Sequence, residues 1–199
     1  MTLGALPRLV VLTDRHQLPG GTDLTSALAR CAEAGLGHVV LREFDLDERE
    51  RTRQVAELAA VGLSVVSAHG RLPGACGVHL AAGQEPSVAR GRPFGQSCHH
   101  REEVAAAVRR GARWVTLSPF APTRSKPGHG PPLSPRAYSG HDVPVFALGG
   151  ITLANAAAAL AAGAHGVAVM GEVMRADDPG AVVAQLLRAL RAVPGRGRR

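Results

Sequence analysis

Eight short, β-rich apolar runs recur along the chain, and most are followed by an Ala- and Leu-rich stretch with helical spacing. The runs are Leu9–Leu12, His38–Leu41, Leu63–Ser67, Gly77–Leu80, Phe94–Ser97, Arg113–Leu117, Val143–Leu148 and Val167–Met170. Helical spacing predicts helices over Leu24–Ala34, Asp47–Ala60, His100–Arg110, Leu153–Ala162 and Ala181–Ala192. Gly35 sits where a helix C-cap needs a left-handed residue. Strands alternating with helices build right-handed parallel βαβ units, and eight such units close on themselves. The expected fold class is therefore α/β, a single (β/α)8 TIM barrel over residues 1–193, and 199 residues is at the small end for it. An open doubly wound sheet is the alternative. Residues 194–199 read as a basic, disordered tail.

Three of the chain's +7 formal charges come from Arg196, Arg198 and Arg199 in that tail, which leaves only a mild basic surplus. Aromatic residues make up 3% of the chain. Proteins that bind single-stranded nucleic acid rely on several stacking rings, so no nucleic-acid partner is expected. Cys31, Cys76 and Cys98 are odd in number and form no CxxC pair, which argues against a disulfide framework or a zinc site. No signal-peptide pattern or membrane-length apolar run is found, so a cytoplasmic protein without a membrane partner is expected. The Ala-rich helices are compatible with a homodimer.

In a barrel of this kind the chemistry belongs to the loops after the strands. The seventh run ends in Leu148-Gly149-Gly150-Ile151 and the eighth in Val169-Met170-Gly171-Glu172. Adjacent glycines allow close approach of backbone N–H groups to an anion, and a following helix N-terminus favours negative charge. Gly149, Gly150, Met170 and Gly171 are thus expected to cradle a phosphate. The proline-rich sixth loop adds Thr123, Ser125 and Lys126, two hydroxyl donors and a cation suited to phosphate oxygens.

Taken together, Leu12-Thr13-Asp14, Leu41-Arg42-Glu43, Gly77-Val78-His79-Leu80, Gly95-Gln96-Ser97-Cys98-His99, the loop Ser118 to Gly128, Ala147 to Ile151 and Gly163 to Met170 resemble the thiamine phosphate synthase/TenI family over nearly the whole chain. The resemblance implies a TIM barrel that handles a phosphorylated thiazole. Synthases of the family join a pyrimidine pyrophosphate to a thiazole phosphate using Mg2+, whereas TenI-like members bind the thiazole phosphate and, where active, isomerise its carboxylate-bearing precursor.

The thiazole-phosphate half of the site matches the family. The pyrophosphate half departs from it. Where synthases carry Gln-x-Arg-x-Lys, this chain reads Val40-Leu41-Arg42-Glu43-Phe44, keeping only Arg42. His69-Gly70-Arg71 replaces Asn-Asp-Arg, and Ala81-Ala82-Gly83-Gln84 replaces the segment with the second metal carboxylate; Glu85 lies two positions beyond it. Hard Mg2+ usually takes carboxylates, so no metal site and no cofactor are expected unless the synthase reading holds. The TenI-like histidine of the sixth loop is also missing from Ser118-Pro119-Phe120. Proton transfer calls for a group with a pKa near working pH. His69, His79 and His99 each end or follow a strand. His69 and His99 are the expected acid–base residues, Arg42 the orienting cation, and Ser97 and Arg71 further substrate contacts. The leading reading is a metal-independent thiazole tautomerase; a divergent synthase and a non-catalytic phospholigand-binding or regulatory protein are the alternatives.

Overall fold

A computed structural model describes residues 6–122 and 131–193. Eight parallel strands close a barrel in simple sequence order. They are β1 (Leu9–Leu12), β2 (His38–Leu41), β3 (Ser64–Ala68), β4 (Gly77–Leu80), β5 (Phe94–Cys98), β6 (Trp114–Leu117), β7 (Val145–Leu148) and β8 (Gly166–Val169). Each is buried on both faces, and for that reason they read as near-continuous Val/Leu runs.

The outer layer holds α1 (Leu24–Glu33), α2 (Glu48–Ala60), α3 (Arg101–Arg109), α4 (Ala156–Ala161), α5 (Gly171–Met174) and α6 (Pro179–Arg191). Three of these helices start on an aspartate. Asp23 accepts from Ser26 N at 3.0 Å, Asp178 accepts from Ala181 N at 3.0 Å, and Asp47 forms a reciprocal capping box with Glu50. Among the described residues no α-helix links β3 to β4, β4 to β5 or β6 to β7, the links in which helical spacing predicts none; 3-10 turns at Pro86–Ala89 and Pro135–Tyr138 lie in the last two. Segment 69–76 is too short to build a packed helix.

Two apolar layers result. The larger lies between strands and helices and includes Val11, Leu28, Leu58, Val115, Val167 and Leu186. The smaller fills the barrel interior with Leu12, Val40, Val66, Trp114, Phe146 and Ala168. Trp114 fits inside because its register neighbour on β5 is Gly95, where a Cβ would overlap the indole.

β1 pairs with β8, aligning Leu9 with Val167 and Val11 with Val169. Val167 N donates to Arg8 O at 2.8 Å, and a Cβ on Gly166 would come within 2.5 Å of that same oxygen. The Arg8 guanidinium reaches the carbonyls of Leu190 and Val193 at 3.2 and 3.0 Å, tying the last helix over the seam. All three cysteines are free and buried, and no helix among the described residues is long and apolar enough to cross a membrane.

Candidate functional site

Inward-facing positions at the C-terminal ends of the strands converge on the barrel mouth. Arg42 follows β2, His69 follows β3, Ser97 lies on β5, and His99 follows that strand. With Gly149 and Met170 they line one cavity of about 360 Å3. Leu148, Gly149 and Met170 also border a second cavity of about 440 Å3, walled by Gly150, Gly171 and Arg175 among others. The expected glycine loops therefore meet, and they open directly onto the expected histidines. Arg71 is the exception: it is exposed and lines neither cavity, because the chain turns away from the mouth after His69. Thr123, Ser125 and Lys126, like the 194–199 tail, lie outside the described residues.

The β7 loop is fastened from both sides. Phe120 N and Ala121 N donate to the carbonyls of Leu148 and Gly149 at 2.9 and 3.0 Å. Asn155 closes the turn, its Nδ2 donating to Gly150 O and its Oδ1 accepting from Thr152 N, both at 2.8 Å. Gly150 has φ +65°, and a Cβ there would lie 2.5 Å from the carbonyl oxygens of Ala121 and Pro122. Only glycine satisfies both conditions. On β8, Gly171 begins α5; Val173 N and Met174 N donate to Met170 O at 3.1 and 2.8 Å, which leaves the N–H groups of Gly171 and Glu172 without a carbonyl behind them among the described residues. The Glu172 carboxylate accepts from Leu153 N at 2.9 Å and ties the two loops together.

Across the mouth, His69 adopts a left-handed backbone with φ 62°. Its N–H donates to His79 O at 2.8 Å and its carbonyl accepts from Gln84 Nε2 at 2.6 Å, which holds this unusual conformation. The imidazole stacks on Phe44, with ring centroids 4.4 Å apart. Arg42 and Arg51 sit 5.3 and 5.7 Å from the same Phe44 ring, as cation–π partners. Partial burial, with Arg42 and Arg51 nearby, lowers the His69 pKa below the ordinary histidine value, so the ring is neutral at neutral pH and able to accept a proton. Arg42 also reaches over the mouth to Met170 Sδ at 2.7 Å, spanning β2 to β8. His99 Nδ1 lies 3.2 Å from Ser118 Oγ.

A third histidine completes the lining. His79 is 4% exposed, and its Nδ1 accepts from Trp114 Nε1 at 3.2 Å. An indole only donates, so the His79 proton resides on Nε2, which faces Ser97 Oγ at 3.1 Å and Thr116 Oγ1 at 3.2 Å. Burial, reinforced by His69 and Arg42, lowers its pKa to about 4. The sequence places this residue only near the end of a strand; its partner Trp114 lies two strands away and was not legible.

The donor set does not fit Mg2+. No carboxylate lines the mouth cavity. Glu43 is buried and accepts from Arg15 N and Arg15 Nη1, and Asp45 pairs with Arg15 and His16; with Asp14 they line a separate cavity beside Arg42. Asp14 accepts from Gln17, and Glu85 pairs loosely with Arg110 at 3.8 Å.

The chain is similar to known proteins. The family described as Thiamine monophosphate synthase (TMP-TENI) matches residues 9–173. A Geobacter sulfurreducens protein provisionally named thiamine-phosphate synthase is 40% identical over 190 residues, covering 86% of this chain and 88% of its own. A Roseiflexus castenholzii thiamine-phosphate synthase is 32% identical over 197 residues, covering 88% and 85%. The solved thiamine phosphate pyrophosphorylase from Pyrococcus furiosus superposes with a TM-score of 0.80 at 23% identity, over 94% of this chain and 97% of that one. At that identity the likeness speaks for the fold.

Proposed function

Because the chain belongs to the thiamine monophosphate synthase family, we propose that it binds a thiazole phosphate across its two joined cavities and isomerises a carboxylate-bearing thiazole phosphate without a metal. The observation that carries this reading is the junction at Gly149 and Met170. It joins a glycine-walled cavity, with room for a phosphate, to a mouth lined by Arg42 and three histidines. The phosphate sits against the backbone of Gly149, Gly150, Met170 and Gly171, with Thr123, Ser125 and Lys126 assigned to it from the sequence. Arg42 orients the substrate carboxylate. Neutral His69 takes a proton from the ring system and returns it, directly or through His99, at a second position of the same molecule. No atom is gained or lost.

The test follows substrate conversion by 1H NMR in EDTA. His69→Asn keeps a residue that tolerates the left-handed backbone and should lower kcat/KM about 100-fold or more. Because the His69 pKa is lowered, the acid limb of the wild-type pH profile should fall below 6.5. A protein that neither binds nor converts the thiazole phosphate overturns the proposal.

The comparisons favour a second reading, since the relatives above are named as synthases. On that reading the chain joins a pyrimidine pyrophosphate to the thiazole phosphate. Mg2+-dependent thiamine phosphate formation from the two substrates would establish it and displace the isomerase.

A further inference from the structure

We propose that Arg175 is a side-chain anchor for the ligand's phosphate, held over the glycine cradle by a relay from the first loop of the barrel. The inference rests on the reading that the glycine cavity takes a phosphate, and adds a residue to it. A phosphate dianion carries two charges, and Lys126, assigned to it from the sequence, offsets only one of them. Arg175 lines the same cavity as Gly149, Gly150 and Gly171. It stands four residues after Gly171, on the turn that closes α5, and its guanidinium lies where a Cβ on residue 171 would be. The glycine thus serves two ends: it opens the backbone to an anion and it makes room for the cation.

The guanidinium is positioned but chemically unspent. Arg175 Nη1 donates to Gln17 Oε1, and Gln17 Nε2 in turn donates to Asp14 Oδ2 at 2.6 Å. Asp14 and Gln17 flank the single 3-10 turn after β1, so the relay runs between the first loop and the last. Among the described residues Arg175 meets no carboxylate; its neighbour Glu172 is committed to Leu153 N. A guanidinium has five N–H donors in a fork that matches phosphate oxygens, and only one of them is committed to the Gln17 amide. The side chain is exposed, within reach of an anion entering the cavity.

Isothermal titration of wild type, Arg175→Met, Arg175→Lys and Gln17→Leu with inorganic phosphate and with thiazole phosphate tests the assignment, with thermal unfolding as the check on folding. Arg175→Met should weaken both ligands at least tenfold, Arg175→Lys should recover part of the loss, and Gln17→Leu should show a smaller loss in the same direction. A second arm uses Gly171→Ala, whose added methyl displaces only the flexible guanidinium tip; it should reproduce the Arg175→Met loss while the Tm stays near wild type. Equal thiazole-phosphate affinity in wild type and Arg175→Met overturns the anchor and leaves the proposed function standing. Loss of inorganic phosphate in Arg175→Met, with no thiazole phosphate bound by wild type, keeps the anchor and rejects the proposed ligand. A wild type that binds neither overturns both.

Discussion

His79 shows how one residue can tie the acid stability of the barrel to its site. Folded, its pKa is about 4; unfolded, it returns to the ordinary 6.5. Below pH 6.5 the unfolded chain takes up a proton that the folded chain refuses, so this part of the stability is present above 6.5 and lost as pH falls towards 4. The full swing is about 3 kcal/mol. Urea unfolding between pH 7 and 4 should show the loss, and His79→Gln should flatten the profile in that window. An unchanged pH slope in the variant would show that the imidazole is not the group responsible. At this scale the sequence was partly legible. Arg42, His69, Ser97 and His99 could be placed because each ends or follows a strand. Arg175 could not, because its approach to Gly171 depends on a four-residue helix too short to carry a periodic signal.

Among the elements, the β7 loop is the most tightly specified. A methyl on residue 150 meets two carbonyl oxygens at 2.5 Å and forces an L-residue into a left-handed backbone. Backbone atoms cannot yield as a side-chain tip does, so Gly150→Ala should cost about 2 kcal/mol or more. It should also abolish phosphate binding, because the β6 and β7 loops must separate to admit the methyl. Calorimetry would register a Tm drop of several degrees, and a variant as stable as wild type would show that the loops are not locked together. Most strands were legible to within a residue or two because both their faces are buried. The starts of α1 and α2 were read to within a residue, whereas α6, capped by Asp178, begins two residues before the predicted Ala181. The links after β3, β4 and β6, where helical spacing is absent, carry no α-helix among the described residues, but an apolar pattern does not reveal the short 3-10 turns in the last two.

For the whole molecule, the closed ring was the most legible feature, as eight apolar runs in order leave few other arrangements. What the runs do not convey is how the ring is fastened. Arg8 joins the start of β1 to the C-terminal end of α6 through two carbonyls, a favourable place for a cation at a helix end. Arg8→Met keeps the bulk and removes the bonds, and should destabilise the fold by about 1–2 kcal/mol, a Tm shift of about 2–8 °C for a chain of this size. Unaltered thermal unfolding would assign the fastening to strand pairing alone.

The pairing of first strand with last also sets a timetable. A ribosome releases β1 early and β8 near the end, on the order of ten seconds or more later at usual synthesis rates. Throughout that interval the outer edges of β1 and of the newest strand are bare, a condition that invites association with other chains. The nascent protein acquires its histidine-lined side well before its glycine cavity, so the ability to hold a phosphate arrives together with the completed ring.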